Sequence, residues 1–251
     1  MGDLLICRAM AEDKDQLANL WKACFTDDSP EYVRKFISSL PRNTVTLIGK
    51  VDGVAVTMLF LLPAMAEFCD NHFPVRYLYA GCTHPLYRGK GYYRRLMDAA
   101  EKTVREIGEY AIYLHPADES LDDAYRRMGY RDGIVSDRHL VVDTLQTKST
   151  NESEYMHKRC KLLSSLAREK VIWDVNIRTI ELFVCDAVDG GAVISVCDDD
   201  VSLLLGDKCI EKISLKNTQN RDNICLWLPV KTSLLNDLMK KHGGYTGMIG
   251  D

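Results

Sequence analysis

Residues 77–97 read YLYAGCTHPLYRGKGYYRRLM: a β-rich run, a turn holding two glycines and several basic residues, and an amphipathic helix. The helix spans about Tyr92 to Ile107. Its apolar positions Tyr93, Leu96, Met97, Ala100, Val104 and Ile107 recur at helical spacing, and Gly108 suits its stop. A strand that turns into a helix through such a loop makes an anion site. The first N–H groups of the helix have no partner inside it, and the dipole adds about half a positive charge there. Gly89 and Gly91 let the backbone approach a phosphate closely, and Arg88, Lys90, Arg94 and Arg95 add positive charge. The loop carries neither the GxxxxGK[ST] pattern nor GxGxxG. Taken alone, it also fits a plain strand–helix connection with solvated basic residues.

The surrounding pattern is mixed α/β. Up to about residue 145 the order is β-α-α-β-β-β-α-β-α-β. A strand at Leu4–Arg8 precedes a helix that Asp13 is expected to cap, with Gln16 as reciprocal partner. Ser29-Pro30 opens a second helix with Tyr32, Val33, Phe36, Ile37 and Leu40 on its apolar face. Strands at Thr44–Gly49 and Val54–Leu62 meet through Asp52-Gly53, a strong hairpin signal. Strands are expected at Arg76–Thr83 and Tyr110–His115, then a helix at Ser120–Met128 stopped by Gly129, and a last strand at Ile134–Val142. Thr144 to Ser153 reads as a linker. Beyond it we expect a helix at Glu154–Arg168 and strands at Thr179–Asp186, Ala192–Cys197, Val201–Leu205, Lys208–Ser214 and Ile224–Leu228. A helix near Ser233–Lys241 closes the second part.

The composition removes several classes. At 251 residues, 46% hydrophobic and 27% charged, the chain can build one large or two modest cores. A net charge of -4 gives no nucleic-acid footprint. No apolar run reaches the roughly 18–20 residues that span a bilayer, so no membrane partner is expected. The start, MGDLLICRAMAEDKD, turns acidic at once, unlike a secretory leader, and lacks Ser or Thr at position 6 for N-myristoylation. Nine cysteines without a CxxC pair fit reduced thiols in a cytoplasmic protein better than disulfides or a metal site.

His84-Pro85-Leu86-Tyr87-Arg88-Gly89-Lys90-Gly91-Tyr92-Tyr93-Arg94-Arg95-Leu96 resembles the acetyl-CoA loop of the GNAT superfamily of N-acetyltransferases, Arg/Gln-x-x-Gly-x-Gly/Ala before a helix. Arg88 and Gly91 match, whereas Tyr93 departs from the final Gly/Ala. Ala111–Pro116 looks like the family's fifth strand, and Tyr125-Arg-Arg-Met-Gly129-Tyr130 like its Tyr-x-x-x-Gly-Phe/Tyr segment. The resemblance implies a GNAT acyl-CoA N-acyltransferase fold over 1–145. Residues 154–251 would form a smaller mixed α/β domain, degenerate GNAT-like, as in the enhanced-intracellular-survival subgroup. It also implies acetyl-CoA lying between two splayed strands. Gly81, Cys82 and Thr83 would pair with its pantetheine, in a strand-addition mode. Arg88, Gly89, Lys90, Gly91, Tyr92, Tyr93 and Arg94 would hold the pyrophosphate. An amide near Thr83 would polarise the thioester, and Tyr125 would be the catalytic acid that protonates the leaving thiolate. Its spacing with Leu121, Ala124 and Met128 also suits a plain core tyrosine.

The expected function is transfer of an acetyl group from acetyl-CoA to a small-molecule or peptide amine by direct attack, without a metal; the alternative is a non-catalytic acyl-CoA-binding or regulatory module. The second part is assigned to shaping the acceptor site or to a homodimer contact. No base stands out. Asp118, Glu119, Asp122 and Asp123 read first as complements to a helix start, Glu67 as a rim carboxylate, and His84 as an exposed loop residue. Cys82 reads as a structural thiol rather than an acylated nucleophile. Asp198-Asp199-Asp200 reads as a hairpin turn, and Asp251 matches no terminal-carboxylate base.

Overall fold

The computed structural model describes residues 2–68, 71–133, 151–166, 172–176, 178, 180, 181, 184, 193–196, 200–205, 208–214 and 225–231. Its main sheet runs β1 (Leu5–Arg8), β2 (Val45–Val51), β3 (Val54–Phe68), β4 (Asn71–Thr83), β5 (Ala111–Leu114), β11 (Cys225–Pro229) and β6 (Arg131–Gly133) in spatial order. One further strand, β7 (Ile172–Val175), pairs antiparallel with Ala64–Glu67 of β3, next to where β2 ends opposite Leu61. A separate antiparallel sheet holds β8 (Val193–Val196), β9 (Asp200–Leu205) and β10 (Lys208–Ser214). The mixed α/β class is as expected.

Helices cover both faces of the main sheet, because alternate strand residues are apolar on both sides. On one face α1 (Lys14–Cys24) and α2 (Pro30–Ser39) place Leu17, Trp21, Val33 and Phe36 over Phe60, Leu62 and Tyr77. On the other, α3 (Tyr92–Glu106) and α4 (Asp122–Arg126) place Leu96, Met97, Ala100, Val104 and Tyr125 over Leu47, Leu59, Leu61, Leu78 and Ile112. No helix among the described residues is long and apolar enough to cross a membrane.

Several local signals act as read. Ser29 Oγ accepts the Tyr32 N–H at 3.1 Å, and Pro30 opens α2. Asp52 and Gly53 both adopt positive φ (51° and 81°), the requirement of the tight hairpin turn their strands need. The capping pair at α1 does not form: Asp13 accepts from Met10 N–H at 2.9 Å and Lys50 Nζ at 2.5 Å, while Gln16 Oε1 accepts from Ala55 N–H at 2.8 Å. The buried Asp13 carboxylate takes the Lys50 cation as its counter-charge, and the neutral Gln16 amide oxygen satisfies a β3 backbone N–H instead.

Longer-range pairing changes other boundaries. The β3–β4 ladder continues to Phe68 and Asn71, beyond the expected ends at Leu62 and Arg76. Pro63 and Pro74 lack a donor and locally read as strand breaks, yet both sit within the ladder. Glu67 is therefore a strand residue, flanked by His72 and Ile172. The expected strand at Thr179–Asp186 is helical where described, at Ile180, Glu181 and Val184. Its start is held by Asn176, which accepts Arg178 N–H on its side chain and Ile180 N–H on its carbonyl. The helix expected from Glu154 begins earlier, as α5 (Glu152–Leu166), capped by Asn151.

The second part also enters the main sheet. β11 lies between β5 and β6, antiparallel to both, and Arg159 of α5 pairs with Asp174 of β7 through both carboxylate oxygens. The expected strand Ile134–Val142, the helix Ser233–Lys241, most of the Thr144–Ser153 linker, Asp198-Asp199 and Asp251 lie outside the described residues.

Candidate functional site

The site begins where β4 and β5 part. Their parallel pairing comprises Arg76–Ile112 and Tyr77–Tyr113; β5 then ends at Leu114 while β4 continues to Thr83. A bulge accompanies the parting. Met58 faces Cys82 and Phe60 faces Tyr79, so Ala80 and Gly81 together oppose Leu59, and Ala80 takes a φ of 47°. Such a bulge re-aims side chains. Tyr79 and Cys82, three apart, pack toward α1, while Leu78 packs toward α3. The edge of Gly81-Cys82-Thr83 that would face β5 is left beyond the end of that strand.

The turn after Thr83 is held by its own bonds. Pro85–Tyr87 form a short helical turn capped by His84, whose Nδ1 accepts the Leu86 N–H at 3.3 Å. That contact uses His84 as a cap. Arg88 Nε returns to the Thr83 carbonyl at 3.2 Å, and Lys90 Nζ lies 4.9 Å above the Tyr87 ring. Gly91 takes a φ of 73° as the N-cap of α3, a conformation that costs other residues about 1–2 kcal/mol. The first bond of the helix runs from Arg95 N–H to the Gly91 carbonyl at 3.1 Å. The N–H groups of Tyr92, Tyr93 and Arg94 are therefore those at the open helix end. A Cβ built on Gly89 or Gly91 meets nothing within 4 Å, so the loop faces open space. Charge, donors and room suit a diphosphate. The Arg94 and Arg95 side chains are directed elsewhere, to Asp98 with the Arg127 carbonyl and to the Leu4 carbonyl respectively.

Tyr125 sits on the buried side of α4, 8% exposed, with its hydroxyl 3.1 Å from that of Tyr93. The rings meet edge-to-face, with centroids 6.3 Å apart. Burial raises the Tyr125 pKa above the ordinary phenol value, and its hydrogen bond with Tyr93 opposes the rise. Tyr93 is pushed well up, first by burial and then by Tyr125. The structure thus brings Tyr93, Gly81 and Tyr125 together, where the sequence placed only Tyr93's backbone in the site. The helical period of α3 already puts Tyr93 on its inner face; that is the one signal for its side chain.

The remaining candidates have other partners. Cys82 is buried, and a hydrogen bond to Cys24 together with burial pushes its thiol well up, which disfavours the nucleophilic thiolate. Cys24 moves down, chiefly through that same bond and secondarily through Arg88. Asp118 accepts the Ser120 N–H at 2.9 Å, and Arg126 pairs with Asp122 and Asp123 at 3.8 Å each. Among the described residues no group of three His, Cys, Asp or Glu is placed to hold a metal ion. Across β4 lies a polar–aromatic set absent from the sequence reading: Tyr32 and Tyr79 hydroxyls 3.1 Å apart, and Trp21 Nε1 donating to Asp28 at 2.9 Å.

Sequence comparison places the chain in a known family. Residues 6–133, just over half of the chain, match the family described as Acetyltransferase (GNAT) domain. The chain belongs to the GNAT acetyltransferase family, and its class is that of acyltransferases. No curated protein sequence matches it. Among solved structures, it is similar in fold to a GCN5-related N-acetyltransferase from Kribbella flavida. The TM-score is 0.59 at 12% identity, covering 91% of this chain and 72% of that one. A putative acetyltransferase from Pyrococcus horikoshii gives 0.58 at 10% identity, covering 90% and 89%. A probable N-acyltransferase from Enterococcus faecalis gives 0.46 at 17% identity over 59% of this chain, which spans 38% of that protein's length.

Proposed function

We propose that the protein transfers an acetyl group from acetyl-CoA to an amine by direct attack. The observation that carries this reading is the convergence of three features. They are the β4 edge beyond the end of β5, the open N-terminus of α3, and the Tyr125 hydroxyl beside Gly81's neighbour Tyr93. In this reading Gly81, Cys82 and Thr83 pair with the pantetheine arm as an added strand would. The amides of Gly89 to Arg94, with Arg88 and Lys90, hold the diphosphate.

The neutral amine forms a bond to the acetyl carbon, and the carbon–sulfur bond breaks with its electron pair going to sulfur. Tyr125 donates its proton to that sulfur. Its raised pKa keeps it a neutral donor at pH 7. The proton lost by the attacking nitrogen restores the phenol. The high pKa of Cys82 argues against an acyl-cysteine intermediate. The acceptor is a small-molecule amine or a peptide amine.

The test is CoA release across an amine panel, with acetyl-CoA affinity measured in parallel. Tyr125→Phe should lower kcat about 100-fold and leave acetyl-CoA affinity within about twofold. Unchanged turnover would remove Tyr125 from the chemistry. Acetyl-CoA binding without release for any amine would favour the non-catalytic module.

A further inference from the structure

We infer that Tyr93 is a positioning residue for Tyr125: its hydroxyl, seated against Gly81 of the β4 bulge, donates to the Tyr125 oxygen and aims the remaining phenol proton at the parting of β4 and β5. The inference rests on the reading of Tyr125 as the acid.

Four observations carry it. The two hydroxyls are 3.1 Å apart, and the rings are fixed edge-to-face. Tyr93 is the second residue of α3, so its side chain is anchored by the helix whose end forms the anion site. Gly81 has no room for a side chain: a Cβ there would collide with the Tyr93 hydroxyl and lie 3.0 Å from Leu78 Cδ2 and 3.2 Å from Tyr93 Cζ. The bulge at Ala80-Gly81 is what turns this glycine toward α3. Gly81 thus gives Tyr93 its seat, and Tyr93 in turn fixes Tyr125.

Chemically, a buried phenol that gives up its proton becomes a phenolate in a site of low polarity, which is costly. A donor already in place stabilises that oxyanion as it forms, without reorganisation. Burial raises the Tyr125 pKa, and its hydrogen bond with Tyr93 opposes that rise. A single phenol has one proton to give and accepts others. With Tyr93 donating to its oxygen, the Tyr125 proton is left for the departing sulfur. The proton balance of the transfer is unchanged, because Tyr93 keeps its own.

The experiment uses the whole chain and two readouts. First, with 13Cζ-labelled tyrosine, the Tyr125 signal (assigned with Tyr125→Phe) is followed from neutral into alkaline pH. In Tyr93→Phe it should titrate at higher pH than in the native protein; an unmoved midpoint overturns the inference. Second, Tyr93→Phe should lower kcat about tenfold with KM for acetyl-CoA within about twofold, and Tyr93→Phe/Tyr125→Phe should be no slower than Tyr125→Phe alone. Gly81→Ala should lower kcat in the native background and cost much less beside Tyr93→Phe, where the obstructed hydroxyl is gone. Equal costs in both backgrounds also overturn it. The two readings fail separately. If Tyr125→Phe turns over normally, the acid assignment falls while the titration still judges the Tyr93–Tyr125 bond. If Tyr125→Phe is slow and Tyr93→Phe is native in rate, the acid stands and the positioning role falls.

Discussion

From Asn71 to Tyr77, β4 is backed along β3 and, at Arg76 and Tyr77, also by β5. Arg76 is buried there, held by Glu109 at 2.6 and 2.7 Å and by the Asn43 and Leu61 carbonyls. From Leu78 to Thr83 the same strand bulges, turns a glycine to one face, and runs past the end of β5. The first half holds a buried ion pair and, at Arg76 and Tyr77, is paired on both edges; the second is paired along β3 and extends past β5. One strand therefore combines a fully supported stretch with the open edge to which the proposed function assigns the pantetheine, divided at Tyr77. Rigid support beside an incompletely paired segment is what a preorganised site requires.

Glu109→Ala attacks the first half. Removing the carboxylate leaves the buried Arg76 cation without its counter-charge, an expected loss of about 3–5 kcal/mol. Urea unfolding measures it, and acetyl-CoA affinity of the folded fraction should hold within about twofold. A loss of affinity without loss of stability would break the division at Tyr77. Gly91→Glu attacks the other side. It should reduce acetyl-CoA affinity at least about 100-fold, placing bulk and negative charge at the helix end. The left-handed backbone at 91 should lower stability by about 1–2 kcal/mol. Calorimetry and melting curves together test both parts.

The thiols sharpen the comparison with a smaller effect. Cys24 is held below the usual thiol range by Cys82, so its thiolate is present at lower pH, and its alkylation should reach half-maximal rate below the pH typical of a free thiol. Cys82→Ala removes that donor and should move the midpoint upward. Iodoacetamide labelling read by mass spectrometry checks this, and acetyl-CoA should slow the reaction if its pantetheine lies along Cys82. Smallest of all is Tyr130→Phe. The Tyr130 hydroxyl is buried without a hydrogen-bond partner among the described residues. Its removal should change stability by less than about 1 kcal/mol or raise it slightly, as read by thermal melting.

How much of this was legible follows the reach of each interaction. The α2 cap at Ser29-Pro30, the turn at Asp52-Gly53, the period of α3 and the glycine at 91 are set by neighbours within a few residues, and the sequence alone determined them. The open helix end after Gly91 belongs with these, since it is built from consecutive amides. Tyr125's place on a buried face was legible for the same reason.

Tertiary structure alone decided the rest. Only packing against Lys50 and Ala55 withdraws Asp13 and Gln16 from their capping box, and only the partner arm keeps Pro63 and Pro74 within a ladder. β7 joins β3, and β11 enters between β5 and β6, through partners far away in the chain. The meeting of Tyr93 with Tyr125, 32 residues on, depends on how α3 and α4 dock on one sheet face, and on a bulge that leaves Gly81 opposite. Local dihedral preferences and hydrogen bonds act over a turn or two. Burial of apolar surface and the pairing of buried charges act between whichever segments the fold brings together, and no window of sequence contains both partners.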